Sequence, residues 1–152
     1  MMEIRRRLLL IKWVDGSGAR VKKQVEVVGA VLVDRQSVLA ARRSEQMSLP
    51  GMWEFPGGKI EAGETPEEAL ARELVEELQC TAEIGAHVET TVYEYEKIIV
   101  SLATYYCTLR EGAPRLTEHS EIRWVPVAEL RELDWAPADI PAVERVIQDL
   151  QA

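Results

Sequence analysis

The stretch "TPEEALARELVEELQC", residues 65 to 80, constrains the chain more than any other, because it sets where a helix starts and which side it buries. Thr65 is a good N-cap, Pro66 suits the first helical position, where no N–H is required, and Glu68 completes a T-x-x-E capping box. Ala69, Leu70, Leu74 and Leu78 recur at helical spacing and form the stripe to be buried. Glu73, Glu76 and Glu77 project from neighbouring positions, and like charges so placed repel one another. Arg72 offsets only part of that. An acidic run is ordinarily a solvated face.

The residues before the helix weaken that ordinary reading. The loop "SEQMSLPGMWEFPGGKIEAGE", residues 44 to 64, brings Gly57 and Gly58 beside the helix and ends on a further carboxylate, Glu64. Clustered hard oxygens suit Mg²⁺ or Mn²⁺, which bind few protein carboxylates and keep water positions for substrate phosphates.

Either side of this segment the pattern alternates between strand and helix. "QVEVVGAVLVD" and "SVLAARR" read as a hairpin turning at Arg35-Gln36. Residues 81 to 95 and 98 to 109 read as two more strands, "EIRWVPV" as a short one, and "VAELREL" and "AVERVIQDL" as helical. This predicts an α/β chain, a mixed sheet with helices packed on it, as one domain over 1–152. Residues 1–23 read as an added hairpin: the apolar run Leu8 to Ile11 is too short for a secretory or membrane segment and is followed by the turn Asp15-Gly16-Ser17-Gly18. An oligomer arm or an anion-binding patch around Arg5, Arg6 and Arg7 is the other reading of that segment.

Composition removes several function classes. A net charge of −8 argues against a protein that grips nucleic-acid backbones. Two cysteines, Cys80 and Cys107, and two histidines, His87 and His119, argue against a disulfide framework or a zinc cluster. A reducing cytoplasm is the expected compartment.

Gly58, Glu64, Arg72, Glu73, Leu74, Glu76, Glu77 and Cys80 fit the pattern G-x5-E-x7-R-E-U-x-E-E-x-G-U, where U is apolar. Residues 58 to 80 therefore resemble the Nudix box. One position departs: Gln79 replaces the second Gly, and a non-Gly residue in a left-handed conformation costs about 1–2 kcal/mol. The resemblance implies the Nudix fold, an α/β/α sandwich around a mixed sheet, and hydrolysis of a nucleoside diphosphate linked to another group. It implies that Glu73, Glu76 and Glu77 bind Mg²⁺ (or Mn²⁺ in its place), that the Gly57 carbonyl adds a ligand, and that Arg72 and Glu64 orient the glutamates.

Beyond the box, "WEFPGGKIEAGETPEEA" and "AARRS" resemble the MutT-type branch, which removes oxidised guanine nucleotides. That likeness would bring Arg43 to the phosphates or base, Lys59 to phosphate and Phe55 to the base pocket. Glu118, six residues before Trp124, matches a glutamate that joins the metal site or acts as general base, with His119 merely flanking it. Tyr95 would offer a stacking surface. Asp139, in "APADIP", falls where the branch usually places an Asn that reads the base edge. Phe55 as core, Tyr95 as a strand aromatic and Glu118 as a loop acid remain the alternatives.

The implied function is Mg²⁺-dependent pyrophosphohydrolysis of a nucleoside triphosphate, with 8-oxo-dGTP as substrate. CTP or a modified dCTP is the near alternative, and a non-catalytic nucleotide sensor the distant one. The expected partner is a small nucleotide, not a nucleic-acid polymer or a membrane, and the chain is expected to be a monomer or homodimer.

Overall fold

The computed structural model describes residues 9–11 and 22–151. Among the described residues, eight strands and two helices follow in order: β1 (Leu9–Ile11), β2 (Lys22–Asp34), β3 (Ser37–Arg42), β4 (Trp53–Glu54), β5 (Gly57–Lys59), α1 (Pro66–Leu78), β6 (Thr81–Glu94), β7 (Ile98–Glu111), β8 (Glu121–Pro126) and α2 (Ile140–Leu150). Short 3₁₀ turns at Val127–Glu132 and Pro137–Asp139 lie between β8 and α2.

β2 is the axis of the sheet. It pairs in parallel with β7, from Lys23 opposite Ile98 to Leu32 opposite Cys107, and β7 pairs antiparallel with β6. The far end of β2 turns into β3, which carries β8 and β4 as antiparallel partners. The β2–β3 turn is built from Arg35 and Gln36, both at positive φ. Such a two-residue turn matches the twist of a hairpin, although Asn-Gly is its usual chemistry.

Side chains on β2 alternate between two cores, as the two-residue period of a strand requires. Val28, Ala30 and Leu32 pack with Ala69, Leu70, Leu74 and Leu78 of α1. Val31 packs on the other side, with Val143, Val146 and Ile147 of α2 and with Trp53, Phe55 and Trp135. The sheet is therefore sandwiched between α1 and α2. Burying each α1 leucine stabilises this arrangement by about 2 kcal/mol.

Segment 44–64, expected as loop alone, contains two short strands. β5 lies against β2, with Gly57 opposite Gly29 and Gly58 opposite Val28. The expected N-terminal hairpin is represented by β1, which pairs antiparallel with Lys22 to Gln24 of β2. Its turn and the three arginines fall outside the described residues.

α1 starts as its sequence dictates: Thr65 accepts from the Glu68 N–H and the Glu68 side chain accepts from the Thr65 N–H. It ends with Gln79 in the left-handed region, φ 55°. The Cys80 N–H reaches back to the Leu74 carbonyl, the Arg115 N–H caps the Leu78 carbonyl and the Thr117 hydroxyl caps that of Glu77. The last two donors come from the loop after β7, so part of the cost of a left-handed Gln79 is offset by contacts distant in sequence.

Candidate active site

α1 and β5 meet at two glycines. A β-carbon on Gly57 would lie 1.9 Å from the Val28 carbonyl oxygen, so β5 reaches β2 only because it has none. A β-carbon on Gly58 would fall 2.5 Å from the carboxylate carbon of Glu73. That carboxylate thus occupies space which any other residue at 58 would fill.

Arg72 organises the acids around it. Its Nε and Nη2 donate to the two oxygens of Glu64 at 2.6 and 2.8 Å, in the fork geometry that a guanidinium makes with a carboxylate. Nη1 donates to Glu73 Oε2 at 2.9 Å and Glu76 Oε1 at 3.2 Å, and Nη2 also reaches the Lys59 carbonyl at 3.0 Å. All five N–H donors are therefore engaged. The Arg72 hydrogen bonds hold Glu64 below the usual carboxylate range. For Glu73 burial wins over Arg72, and its carboxyl is pushed up.

Glu77 is different in kind. Arg72 does not reach it, and its Oε1 is buried without a hydrogen-bond partner. Burial, reinforced by the Glu73 and Glu54 charges and opposed by His119 and a Gly57 backbone hydrogen bond, pushes it up to about 7. A buried carboxylate oxygen with no donor is costly unless a proton or a cation satisfies it.

These features fit a divalent cation. No three acidic, His or Cys side chains among the described residues are already gathered as a metal site. The orphaned oxygen of Glu77 and the Glu73 carboxylate packed against Gly58 are, however, hard oxygen donors of the kind such a cation takes. A cation that retains most of its own waters needs few such ligands.

A second group of candidate residues lies where β4 meets the turn before α2. Asp139 is buried, and its Oδ2 accepts the Phe55 N–H at 3.0 Å. Burial and the Glu54 charge push its carboxyl well above the ordinary value, against the Phe55 hydrogen bond and Arg43. The Tyr95 hydroxyl accepts the Ala138 N–H at 2.9 Å, tying the β6–β7 hairpin to the same turn.

Residues 23–146 match the model of the NUDIX domain. The chain belongs to the Nudix hydrolase family. It is 36% identical over 122 residues to the CTP pyrophosphohydrolase of Escherichia coli (strain K12), covering 80% of this chain and 90% of that protein. It is 41% identical over 119 residues to the putative 8-oxo-dGTP diphosphatase 2 of Mycobacterium tuberculosis (strain CDC 1551 / Oshkosh), covering 76% and 82% respectively. The solved MutT protein of the Nudix hydrolase family from methicillin-resistant Staphylococcus aureus 252 superposes with a TM-score of 0.71 at 52% identity, over 84% of this chain and 98% of that one.

The remaining candidate residues have the following surroundings. Glu118 is exposed and makes no hydrogen bond or ion pair with any described residue, while its neighbour His119 is buried. The loop leaves Glu118 at the surface and buries the imidazole of His119. Phe55 packs its ring on Trp135, centroids 4.9 Å apart, within the core. What reaches Asp139 is its backbone N–H. Arg43 is bound internally to Glu54 and to the Ser48 carbonyl and hydroxyl, not left open to a ligand. The Lys59 side chain is exposed. Tyr95 is half-buried beside Tyr93, centroids 4.7 Å apart, and holds the Asp139 turn through its hydroxyl.

One side chain at the candidate site was overlooked. Glu54 accepts Arg43 Nη1 at 2.6 Å and His119 Nε2 at 2.8 Å, and its charge acts on both Glu77 and Asp139. A signal existed in "WEF": an acid between two aromatics on a short strand has little reason to face water.

Proposed function

We propose that the protein is a Mg²⁺-dependent nucleoside triphosphate pyrophosphohydrolase that releases a nucleoside monophosphate and pyrophosphate and clears 8-oxo-dGTP from the nucleotide pool. The observation that carries this reading is the buried, unpartnered Glu77 Oε1 on the same helix as the Arg72-held Glu73 and Glu76. Glu73, Glu76 and Glu77, with the Gly57 carbonyl, would hold the cation. When bound, it would neutralise phosphate oxygens and lower the pKa of a coordinated water.

The rest is done by the chain itself. Arg72 and Glu64 keep Glu73 and Glu76 in place so that little reorganisation is needed when phosphates arrive. Asp139 faces the base. A neutral carboxyl offers an O–H donor beside an acceptor oxygen. The O6 and N7–H of 8-oxoguanine present the complementary pair, whereas unoxidised guanine presents two acceptors on that edge.

A second reading, CTP or a modified dCTP as substrate, is favoured by Asp139 itself. Cytosine N3 and its exocyclic amine also form an acceptor–donor pair. Similarity to the Escherichia coli CTP pyrophosphohydrolase along 90% of its length supports it equally. Free, buried Cys80 and Cys107 suit a reducing cytoplasmic setting.

Turnover of 8-oxo-dGTP, dGTP, CTP, 5-methyl-dCTP and ADP-ribose, followed by ³¹P NMR, tests this. Monophosphate plus pyrophosphate from 8-oxo-dGTP, at a kcat/KM well above that for dGTP, is the expected result. Preference for either cytosine nucleotide transfers the assignment to the second reading. Orthophosphate as product refutes both.

A further inference from the structure

The loop between β7 and β8 is pinned at three places. The Arg115 N–H and Thr117 hydroxyl cap the end of α1, and the Ser120 N–H donates to the Arg42 carbonyl of β3 at 2.9 Å. Between these anchors the loop drives His119 inward until its side chain is only 1% exposed. An imidazole buried that deeply without a partner is unfavourable, and this one has a partner. A carboxylate can only accept, so Nε2–H donates to Glu54 Oε2 at 2.8 Å. Arg43 Nη1 holds the other oxygen, Oε1, at 2.6 Å. With each oxygen gripped by a different donor, the Glu54 carboxylate has one orientation.

Glu54 stands at the junction of the site's two halves. The next residue, Phe55, supplies the N–H that holds Asp139, so a shift of β4 at residue 54 moves the contact to Asp139. The Arg72 cluster shares no hydrogen bond with Glu54 or His119.

We propose that His119 is a positioning residue which, opposed by Arg43, sets Glu54 between the metal-facing Glu77 and the base-facing Asp139 and so governs nucleotide affinity and base discrimination. The proposal rests on the nucleotide reading above. It assigns His119 to binding, and leaves the chemical step to the carboxylates of α1.

The test compares three variants, because an alanine alone reports any structural damage. His119→Gln places an amide N–H where Nε2 lies, whereas His119→Asn places it near Nδ1 and His119→Ala places none. Each is assayed in Mg²⁺ with 8-oxo-dGTP and CTP. Each is also titrated calorimetrically with 8-oxo-dGMP and CMP in EDTA, a readout that needs neither metal nor turnover. Loss of a charge-assisted hydrogen bond predicts a KM about tenfold higher in the Ala and Asn variants, with the ratio of the two monophosphate Kd values compressed by a similar factor. The expected kcat stays within about threefold of wild type, and the Gln variant stays within about threefold in every parameter.

Equal behaviour of Gln and Asn, or a loss confined to kcat, overturns the assignment. A wild-type protein that binds neither monophosphate and hydrolyses neither triphosphate overturns the nucleotide reading, and the role of His119 with it.

Discussion

Gly58 and Glu73 compete for one volume: a β-carbon on Gly58 would stand 2.6 Å from either oxygen of the Glu73 carboxylate. What would be displaced is the end of a flexible side chain, so the fold can yield where the site cannot. Gly58→Ala should therefore cost about 1 kcal/mol or less in stability while kcat/KM falls about a hundredfold. Gly57→Ala is the contrast, because its β-carbon would meet the Val28 backbone oxygen at 1.9 Å. That variant should lose several-fold more stability, about 3 kcal/mol or more, by forcing β5 off β2. Thermal unfolding beside steady-state kinetics separates the two, and equal Tm losses would refute the distinction.

Arg72→Lys should be far from conservative. Lysine has three donors on a point charge and cannot reproduce a five-donor fork. Stability should fall by about 1–3 kcal/mol and turnover by about a hundredfold. Denaturant unfolding and kinetics at saturating Mg²⁺ check this, and near-wild-type turnover would remove Arg72 from the organising role.

Glu77 makes metal-free stability depend on pH in a direction opposite to most acids. Its carboxyl is raised in the folded protein from the usual 4.5 to about 7. The folded state therefore holds a proton that the unfolded chain has released. Its contribution is fully present below pH 4.5 and is lost as pH rises through 7. The loss is roughly 3 kcal/mol. Buried Asp139, also raised, tilts the curve the same way, so the diagnostic quantity is wild type minus Glu77→Gln in EDTA. That difference should fall between pH 5 and pH 8, and Mg²⁺ should restore the wild type but not the variant. A pH-independent difference would place Glu77 in an ordinary hydrated environment.

Asp139→Asn substitutes a permanent donor for one that depends on a proton. The wild-type KM for 8-oxo-dGTP should rise toward alkaline pH, as the buried carboxyl ionises and its donor is lost. The Asn variant should show a flat KM over the same range, with its oxygen still accepting the Phe55 N–H. KM profiles of the two proteins over the same pH range decide it, and parallel wild-type and Asn profiles would remove the proton of Asp139 from base recognition.

Much of the site was legible because it is local. Thr65, Pro66 and Glu68 specify the start of α1 by contacts within one turn, and helical spacing then places Arg72, Glu73, Glu76 and Glu77 on neighbouring positions. The parts that eluded the sequence depend on chain segments far apart. Nothing near residue 118 shows that the loop faces Glu118 outward and His119 inward, because the anchors that do so belong to α1 and β3. Phe55 was visible as an aromatic beside the site, yet only the packing of Trp135 sends its ring to the core and leaves its N–H for Asp139.

By itself, the sequence determined the start and buried stripe of the helix, its acidic face, the strand character of the valine-rich β2, and hence a mixed sheet with helices packed on it. Those properties follow from residue periodicity and capping, which act over a few positions. Only the tertiary structure decided that Gln79 can end α1 in a left-handed turn, that Arg43 and His119 clamp Glu54, and that Glu77, alone among the described residues, keeps a buried side-chain oxygen without a donor. Each of these is a balance between desolvation and a partner brought from elsewhere in the chain, and that balance exists only once the chain has folded.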